Sequence, residues 1–248
     1  VTTGVQNTLV GGLAGDAITG GDQNVAVGYL ALTTLQTSDG NTAIGVAALN
    51  DTSGADNTAV GRLAGYQVTS GANNLALGKD ALRTGSPGGA VTTGSNVIGL
   101  GDENISSFNC QVALTVASDE RDKTDFVDLD LGLDFVKALE PVTYYWDKRS
   151  KYGDKTAEDY DLEAQTPDGT HKEDWMDVGF KAQAVQSLED AAGYTASAKK
   201  NLTVASSDDG KQLGLRYEKF IPILVKAIQD QDAIIQSLTA RIAALEGE

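Results

Sequence analysis

The sequence predicts a mixed fold in two parts: a glycine-rich, repetitive N-terminal β-structure, built as a trimeric β-prism or β-helix shaft, and a C-terminal α/β domain that ends in a long coiled-coil helix. Composition changes near residue 118, because 20 of the 28 glycines precede that position and 12 of the 15 aromatic residues follow it. A short motif repeats through the first part, and apolar residues recur with heptad spacing near the C-terminus. We therefore predict domains at 1–117 and 118–248.

The charge of the chain excludes two classes of function. The 35 acidic residues outnumber the 19 Lys and Arg, and neither part is basic. This excess disfavours binding to nucleic-acid phosphates or to anionic lipid. No apolar run approaches the roughly 20 residues of a membrane-spanning helix, and the start lacks a secretory leader pattern. We expect no nucleic-acid partner and no membrane insertion, and we expect the chain, which begins within a repeat, to be a fragment of a longer protein.

The first part repeats the frame Asn-x-x-x-Gly-x-x-Ala five times, with steps of 17, 17, 16 and 17 residues between the asparagines. The frame asparagines are Asn7, Asn24, Asn41, Asn57 and Asn74. A degenerate sixth unit is predicted to start at Asn96, after an inserted Gly/Ser/Pro segment at 85–89. Short apolar stretches closed by turn residues indicate one strand or strand pair per unit, stacked as a solenoid or wound with other chains. A flexible linker has no reason to keep a fixed frame.

Each repeat offers few and small apolar residues for a core. Ordering a residue costs roughly 1 to 2 kcal/mol of backbone entropy, so we expect three chains to supply one another's core. The frame Ala and Gly residues are then interpreted as places where chains approach closely. Residues 5–105 resemble the shaft and head repeats of phage tail fibres and trimeric surface adhesins. That resemblance implies a homotrimer, with a host surface receptor or glycan as a partner of the fibre segment.

Four motifs follow in order in the second part. They are Ser118-Asp119 with Lys123, the segment 133–146, Val178-Gly179-Phe180-x-Ala182-Gln183, and Leu215-Arg216-Tyr217 with Phe220. This set resembles the C-terminal intramolecular chaperone of endosialidases and related phage tail spikes, a self-cleaving peptidase domain found also in a myelin regulatory factor. The resemblance implies that the domain drives trimerisation and then cuts the Ala117–Ser118 bond once with a Ser118/Lys123 dyad. Asp119, Gln183 and Arg216 match family positions and are candidate supporting residues. A buried amide that holds the cleavage loop is one interpretation of Gln183, and satisfaction of backbone groups is the other.

The chemistry of the dyad sets a condition on the local fold. A hydroxyl is a poor nucleophile until a base takes its proton, and lysine is a base only when neutral, against an ordinary pKa of about 10.4. Nearby carboxylates favour charged lysine, so the fold must keep those of residues 119, 120, 122 and 125 away from the amine. Attack on the chain's own bond and attack on another chain both stay open. His171 lies in a charged stretch and is expected to be an exposed loop residue, whereas Cys110 is expected to be a buried apolar residue.

The C-terminal segment predicts a heptad helix over about 220–246, with Pro222 in its first turn. The seam is formed by Leu224, Ile228, Gln231, Ile235, Leu238, Ile242 and Leu245. Alternating Ile and Leu favour dimers, but Gln231 interrupts the core and the repeats favour a trimer, which we adopt. An amphipathic helix packed on its own domain is the alternative. Residues 147–177 are predicted to be a charged, solvated hairpin or loop.

The functional prediction is a phage tail-fibre segment with a self-cleaving, trimerising chaperone. The resemblance implies a location in the virion, with the chaperone part released in the host cytoplasm after cleavage. The alternative is an uncleaved receptor-binding fibre tip with the C-terminal domain as a permanent trimerisation cap. A bacterial trimeric adhesin head is a third candidate, disfavoured because the sequence does not end in a membrane anchor. We expect no cofactor and no metal site.

Overall fold

The computed structural model describes residues 1–155, 157, 159–195, 197–198, 200 and 202–247. It contains two compact units. The solenoid unit comprises Val1–Ser107, Tyr145–Met176 and Ser206–Leu213, and the C-terminal unit comprises Phe108–Tyr144, Asp177–Ala205 and Gly214–Glu248. The division of the chain at residue 118 stays a prediction about where the chain is cut.

Six short parallel strands form the sheet of the solenoid unit, one strand per repeat. They are β1 (Thr8–Val10), β2 (Val25–Val27), β3 (Thr42–Ile44), β4 (Thr58–Val60), β5 (Leu75–Leu77) and β6 (Ile98–Leu100). The strand order in the sheet follows the chain order, so each coil lies between its predecessor and its successor. The register is the frame itself, because Ala26 of β2 pairs with Ala43 of β3. Of the two predicted arrangements, the β-solenoid is the one found.

A ladder of buried frame asparagines joins successive coils. The Asn57 Oδ1 atom accepts from the backbone N–H of Asn74 at 3.0 Å, and its Nδ2 atom donates to the Gly71 carbonyl at 2.9 Å. The same pair of bonds recurs from coil to coil along the solenoid. Because an unpaired buried polar group is costly, the ladder fixes where each coil begins.

The small residues of the frame are explained within one chain. Ala26, Ala43, Ala59 and Ala76, at the strand centres, are at most 2% exposed and lie in a single core cluster. A Cβ atom on Gly28, which has φ of +134°, would lie 2.5 Å from the Gly45 carbonyl oxygen of the next coil. The expectation that the Ala and Gly positions mark close approach between chains is therefore wrong, since successive coils of the same chain meet there. One chain also buries this core by itself, which we had not expected.

The sixth coil is shifted by one residue from its predicted frame. Val97, rather than Asn96, takes the ladder position, because its N–H donates to Asn74 Oδ1 at 2.9 Å. The Asn96 side chain instead accepts from Asn73 Nδ2 at 2.7 Å. With valine at this position the side-chain ladder ends, so the sixth coil closes the repeat.

The charged, solvated hairpin or loop predicted at 147–177 falls mainly within residues 145–176, which are largely loop but are not solvated throughout. They belong to the solenoid unit, and they contain a short 3-10 helix at Arg149–Lys151. Leu162 and Ser150 are buried. The abundance of charged residues was misleading, because several of them are paired within the unit rather than solvated.

The C-terminal unit is a small α/β domain. It contains α1 (Leu133–Ala138), β7 (Val142–Tyr144), β8 (Asp177–Gly179), α2 (Ala182–Ala191) and α3 (Phe220–Glu246), together with most of β9 (Val204–Ser206) and β10 (Leu213–Leu215), whose residues Ser206 and Leu213 fall in the solenoid unit. Strands β7 and β8 are antiparallel, and β9 pairs with β10. The core is formed by Leu131, Phe135, Val185, Phe220 and Ile223. Phe135 and Phe220, which come from two of the predicted motifs, thus meet in one core, and Phe180 of a third motif packs against it.

Helix α3 has the predicted bounds, with Pro222 in its first turn where no N–H is needed. Its first two turns pack on the domain through Phe220, Ile223 and Ala227. Further along, the seam residues are exposed, from 49% at Leu238 to 74% at Leu245. The alternative of a helix packed along its length on its own domain is therefore not the arrangement found. In the part of the chain that the structure describes, no helix combines the length and apolar character needed to cross a membrane.

Replacing a ladder asparagine should destabilise the solenoid. In Asn57→Ala the Asn74 N–H and the Gly71 carbonyl lose their partners, and we expect a loss of roughly 2 to 4 kcal/mol of unfolding free energy. The matched control is Asn7→Ala in the half-buried first coil, which should cost less. Denaturant unfolding of both variants checks this, and equal losses would contradict a role for burial in the ladder.

Candidate active site

A single 3-10 turn brings Ser118 and Lys123 together. The turn spans Glu120–Asp122, and Asp119 caps its start by accepting from the Arg121 N–H at 3.0 Å. At its end the Lys123 N–H donates to the Glu120 carbonyl at 3.1 Å. Acidic residues favour such N-terminal positions, which explains the Ser-Asp-Glu opening. A separation of five residues, from Ser118 to Lys123, is therefore the separation at which one 3-10 turn brings the two side chains together.

The two side chains of the dyad are in direct contact. Lys123 Nζ lies 2.6 Å from Ser118 Oγ and 3.2 Å from the Ser118 carbonyl oxygen. This is the distance that proton transfer between an amine and a hydroxyl requires. Ser118 and Lys123 are both exposed, so within one chain the pair is open to solvent.

Arg121 engages one of the neighbouring carboxylates, that of Asp119. Its Nε and Nη2 atoms donate to the two Asp119 oxygens at 3.0 and 2.6 Å. The guanidinium, followed by the Arg121 backbone N–H, holds the pKa of Asp119 below its usual range. No carboxylate among the described residues forms a salt bridge with Lys123. Sequence reasoning missed this role of Arg121, although the Asp-x-Arg spacing across a predicted turn could have suggested it.

The segment that matches a known protein family begins at Ser118, the first residue of this site. Residues 118–194 match a peptidase family whose description is chaperone of endosialidase. The C-terminal part of this chain carries an endosialidase-type chaperone domain. The searches of curated proteins and of solved structures found no match. The matched segment covers the dyad, the core of the C-terminal unit up to α2, and the inserted residues 145–176.

The other two candidate residues of the chaperone domain lie on different elements. Gln183 is in the first turn of α2 and is exposed, so the interpretation as a buried amide is wrong. Arg216 follows β10, and its Nη1 atom donates to the Val204 carbonyl at 3.2 Å and to the Leu202 carbonyl at 3.5 Å. These bonds hold the chain before α3 against the β9 segment. The catalytic contributions of both residues stay predictions.

Two further sequence expectations have opposite outcomes. His171 is exposed, with its ring against the edge of Tyr152 at 4.8 Å between centroids, as predicted for a loop residue. Cys110 is exposed rather than buried, so that prediction is wrong. Cys110 lies in the segment 104–128, where the residues of the single chain are exposed. Within the described ranges, no three His, Cys, Asp or Glu residues form a group able to hold a metal ion.

Removing the Arg121 guanidinium should raise the pKa of Asp119. In Arg121→Gln the larger cause of the lowered pKa is absent, so the carboxyl should titrate closer to its ordinary value of about 3.9. Pairing with Arg121 stabilises the folded state at pH values above the ordinary pKa of the carboxyl, and this stabilisation is lost as the pH falls through the lowered pKa.

Carboxyl NMR titration measures this change. Asp168 is the internal control, because its pKa is lowered by Thr170 through side-chain and backbone bonds and should not move. An unchanged Asp119 titration in Arg121→Gln would contradict the assignment of Arg121 as its partner.

Proposed function

We propose that residues 118–248 assemble three copies of the chain and then cut the Ala117–Ser118 bond once, with Ser118 as nucleophile and Lys123 as base. The observation that carries the proposal is the 2.6 Å contact between Lys123 Nζ and Ser118 Oγ at the first residue of the chaperone match. Each chain has one such bond and is cut once, so the endopeptidase makes a single turnover.

The proposed reaction balances in two steps. Neutral Lys123 takes the Ser118 hydroxyl proton as Oγ attacks the Ala117 carbonyl carbon, and the Ser118 nitrogen leaves as an amine after it accepts that proton. The Ala117 acyl group is then an ester on Ser118 Oγ. Water hydrolyses this ester and leaves the Ala117 carboxylate and a free Ser118 hydroxyl. The attacked carbonyl belongs to the same chain or to a neighbouring copy, since the dyad contact fits both routes.

The exposed surroundings of the dyad support a requirement for partner chains. Val112, Leu114 and Val116 alternate before the cut and are 76% to 79% exposed, and Phe126 and Val127 after it are also exposed. Apolar residues in such a row are typical of an interface. Coverage by two other copies would exclude water and favour neutral lysine, which links cleavage to completed assembly.

Two further surfaces support the homotrimer. The exposed half of the α3 seam offers the apolar stripe of a coiled coil. On the outer face of the solenoid sheet, the third residue of each strand is aliphatic and in register from coil to coil. Those residues are Val10, Val27, Ile44, Val60, Leu77 and Leu100. At about 4.8 Å per strand this aliphatic stripe is roughly 24 Å long, and three solenoids packed stripe to stripe would bury it.

The proposed setting is a phage tail fibre or spike. The solenoid would be the fibre segment that the virion keeps, with a host receptor or glycan as its partner, and the chaperone domain would act in the host cytoplasm. Once the assembly template is cut from the chain, the fibre would have no simple route to unfold and refold, so its persistence becomes kinetic.

An uncleaved trimeric fibre tip is the second candidate. Its supporting observation is that the dyad is open to solvent in one chain, whereas enzymes ordinarily exclude water from the site of reaction. In that case the chaperone domain would be a permanent cap. The variants below separate the two candidates, because a cap gives the same uncut chain with or without Ser118.

Removing either dyad residue should abolish cleavage. Ser118→Ala lacks the nucleophile and Lys123→Met lacks the base, so each should run as one band on a denaturing gel. The parent should give pieces of 117 and 131 residues, which together account for the 248 of the chain. We expect a loss of at least a hundredfold in cleavage rate, the usual scale of general-base catalysis.

Lys137→Met is the matched control for Lys123→Met. Lys137 is an exposed residue on α1, so its replacement changes charge by the same amount away from the dyad and should leave cleavage unchanged. Cutting directly after Ala117 in the Ser118→Ala protein would contradict the mechanism.

A charge in the α3 seam should prevent assembly. Ile235→Asp, in a Ser118→Ala background that keeps the chain whole, would bury three carboxylates in the coiled-coil core at a cost of several kcal/mol. We expect light scattering to give one chain mass of 25.8 kDa rather than three. Ser237→Asp, on the outward side of the same helix turn, is the control and should remain a trimer. A trimeric Ile235→Asp protein, or a monomeric parent, would contradict assembly through this seam.

A further inference from the structure

The end of the solenoid is clasped by two segments that follow residue 118 in the chain. Residues 145–176 and 206–213, which we call the clasp, lie in the same compact unit as residues 1–107. We propose that the clasp holds the last coils through noncovalent bonds, so that cutting Ala117–Ser118 leaves the two pieces bound and release is a separate event. This proposal rests on the proposed function only in assuming that the chain itself makes the cut. The clasp binds a defined surface of the same chain, the last coils of the solenoid.

Asp208 ties the clasp to the last turn before the sixth coil. One of its oxygens, Oδ2, accepts from the backbone N–H groups of Thr92, Thr93 and Gly94 at 3.2 to 3.3 Å, and from the Thr92 hydroxyl at 3.2 Å. Hydrogen bonds to a charged acceptor are about twice as strong as neutral ones. These donors also hold the pKa of Asp208 below its usual range, with the Thr92 N–H as the first cause. Asp208 therefore closes backbone donors that the sixth coil leaves open.

A partly buried ion pair forms the second tie. Glu103, just after β6, pairs with Lys155 of the clasp, and their side chains are 7% and 19% exposed. The Glu103 carbonyl accepts from Lys148 Nζ at 3.0 Å. Arg83 Nη2 donates to the Lys155 carbonyl at 2.9 Å. Partly buried pairs are screened by salt much less than exposed ones, so these contacts should continue to join the clasp to the solenoid at ordinary ionic strength.

The Gly/Ser/Pro insertion at 85–89 is the surface on which the clasp seats. A Cβ atom on Gly85 would lie 2.6 Å from Ser150 Cβ, and one on Gly89 would lie 2.4 Å from Ser207 Cβ. Neither approach is compatible with a side chain at the glycine. The insertion breaks the repeat frame, and a seat for the clasp gives it a function.

The two segments of the clasp are also bound to each other. Lys211 Nζ lies 2.9 Å from Asp161 Oδ1, and Arg149 Nη2 donates to the Lys211 carbonyl at 2.8 Å. The clasp thus acts as one body. A cut within the exposed segment 104–128 removes none of these bonds, because every clasp residue follows the cut and every seat residue precedes it.

The test cuts the chain without using its own chemistry. A protease recognition sequence is placed in the exposed segment 109–117 of a Ser118→Ala protein, which is cut and then run on size exclusion without denaturant. We expect the pieces to co-elute. In the Asp208→Ala, Lys155→Ala double variant the co-eluting fraction should fall at least tenfold. The matched control, Asp134→Ala with Lys137→Ala, removes an exposed pair on α1 at 3.8 Å and should behave as the parent.

Two results would overturn the clasp: parent pieces that separate on cutting, or double-variant pieces that stay together as the control's do. Should the double variant fold poorly, hydrogen exchange on the parent decides instead. The amides of Thr92, Thr93 and Gly94 should be protected before and after the engineered cut, and loss of that protection on cutting would contradict the clasp. Failure of self-cleavage would appear as an uncut band in the protein that keeps Ser118, and it would leave the test of the clasp, which uses the engineered cut, unaffected.

Discussion

The buried asparagine ladder is the interaction on which the solenoid depends. Each frame asparagine satisfies a backbone N–H and a backbone carbonyl of the next coil, as Asn41 does for Asn57 and Gly54. A coil of the wrong length would leave these groups unpaired inside the protein, which costs about 1 to 3 kcal/mol for each group. The repeat length is therefore a hydrogen-bonding constraint, and the central alanine of strands β2 to β5 is a residue small enough to fit inside so narrow a coil.

The hydrogen-bonded repeat leaves two tasks for other parts of the molecule, namely contacts with other copies and closure of the last coil. Since one chain buries its own alanine core, the aliphatic residues on the outer sheet face remain for contacts with other copies. The coil end needs closing, because valine takes the ladder position at residue 97 and ends the side-chain bonds. The clasp supplies that closure through Asp208, which bonds backbone N–H groups just before the sixth coil. The domain that we propose cuts the chain thus also carries the part that seals its product.

Periodicity made part of the structure predictable from sequence. The fixed frame predicted one strand or strand pair per repeat, of which the single strand is found, and the heptad with Pro222 predicted the bounds of α3, because both patterns report local geometry. Burial of the frame alanines within one chain was not predictable from counts of apolar residues, since the asparagine bonds contribute where apolar area is small. The clasp was missed for a related reason: the charges of Lys148 and Lys155 suggested solvent, but their partners, Glu173 and Glu103, are distant in sequence. The Ser118/Lys123 dyad was predicted from the family resemblance and not from the spacing, whereas Arg121 became visible only from its bonds to Asp119.

The central claim is that the chain cuts itself at the point where its composition changes. Intact-mass spectrometry of freshly purified protein tests it most directly, because it reports the bond broken as well as the fact of cleavage. We expect two masses that sum to that of the 25.8 kDa chain plus one water, with the second piece beginning at Ser118. A single uncut mass in a sample shown to be trimeric, or a pair of masses that places the cut at another bond, would contradict it.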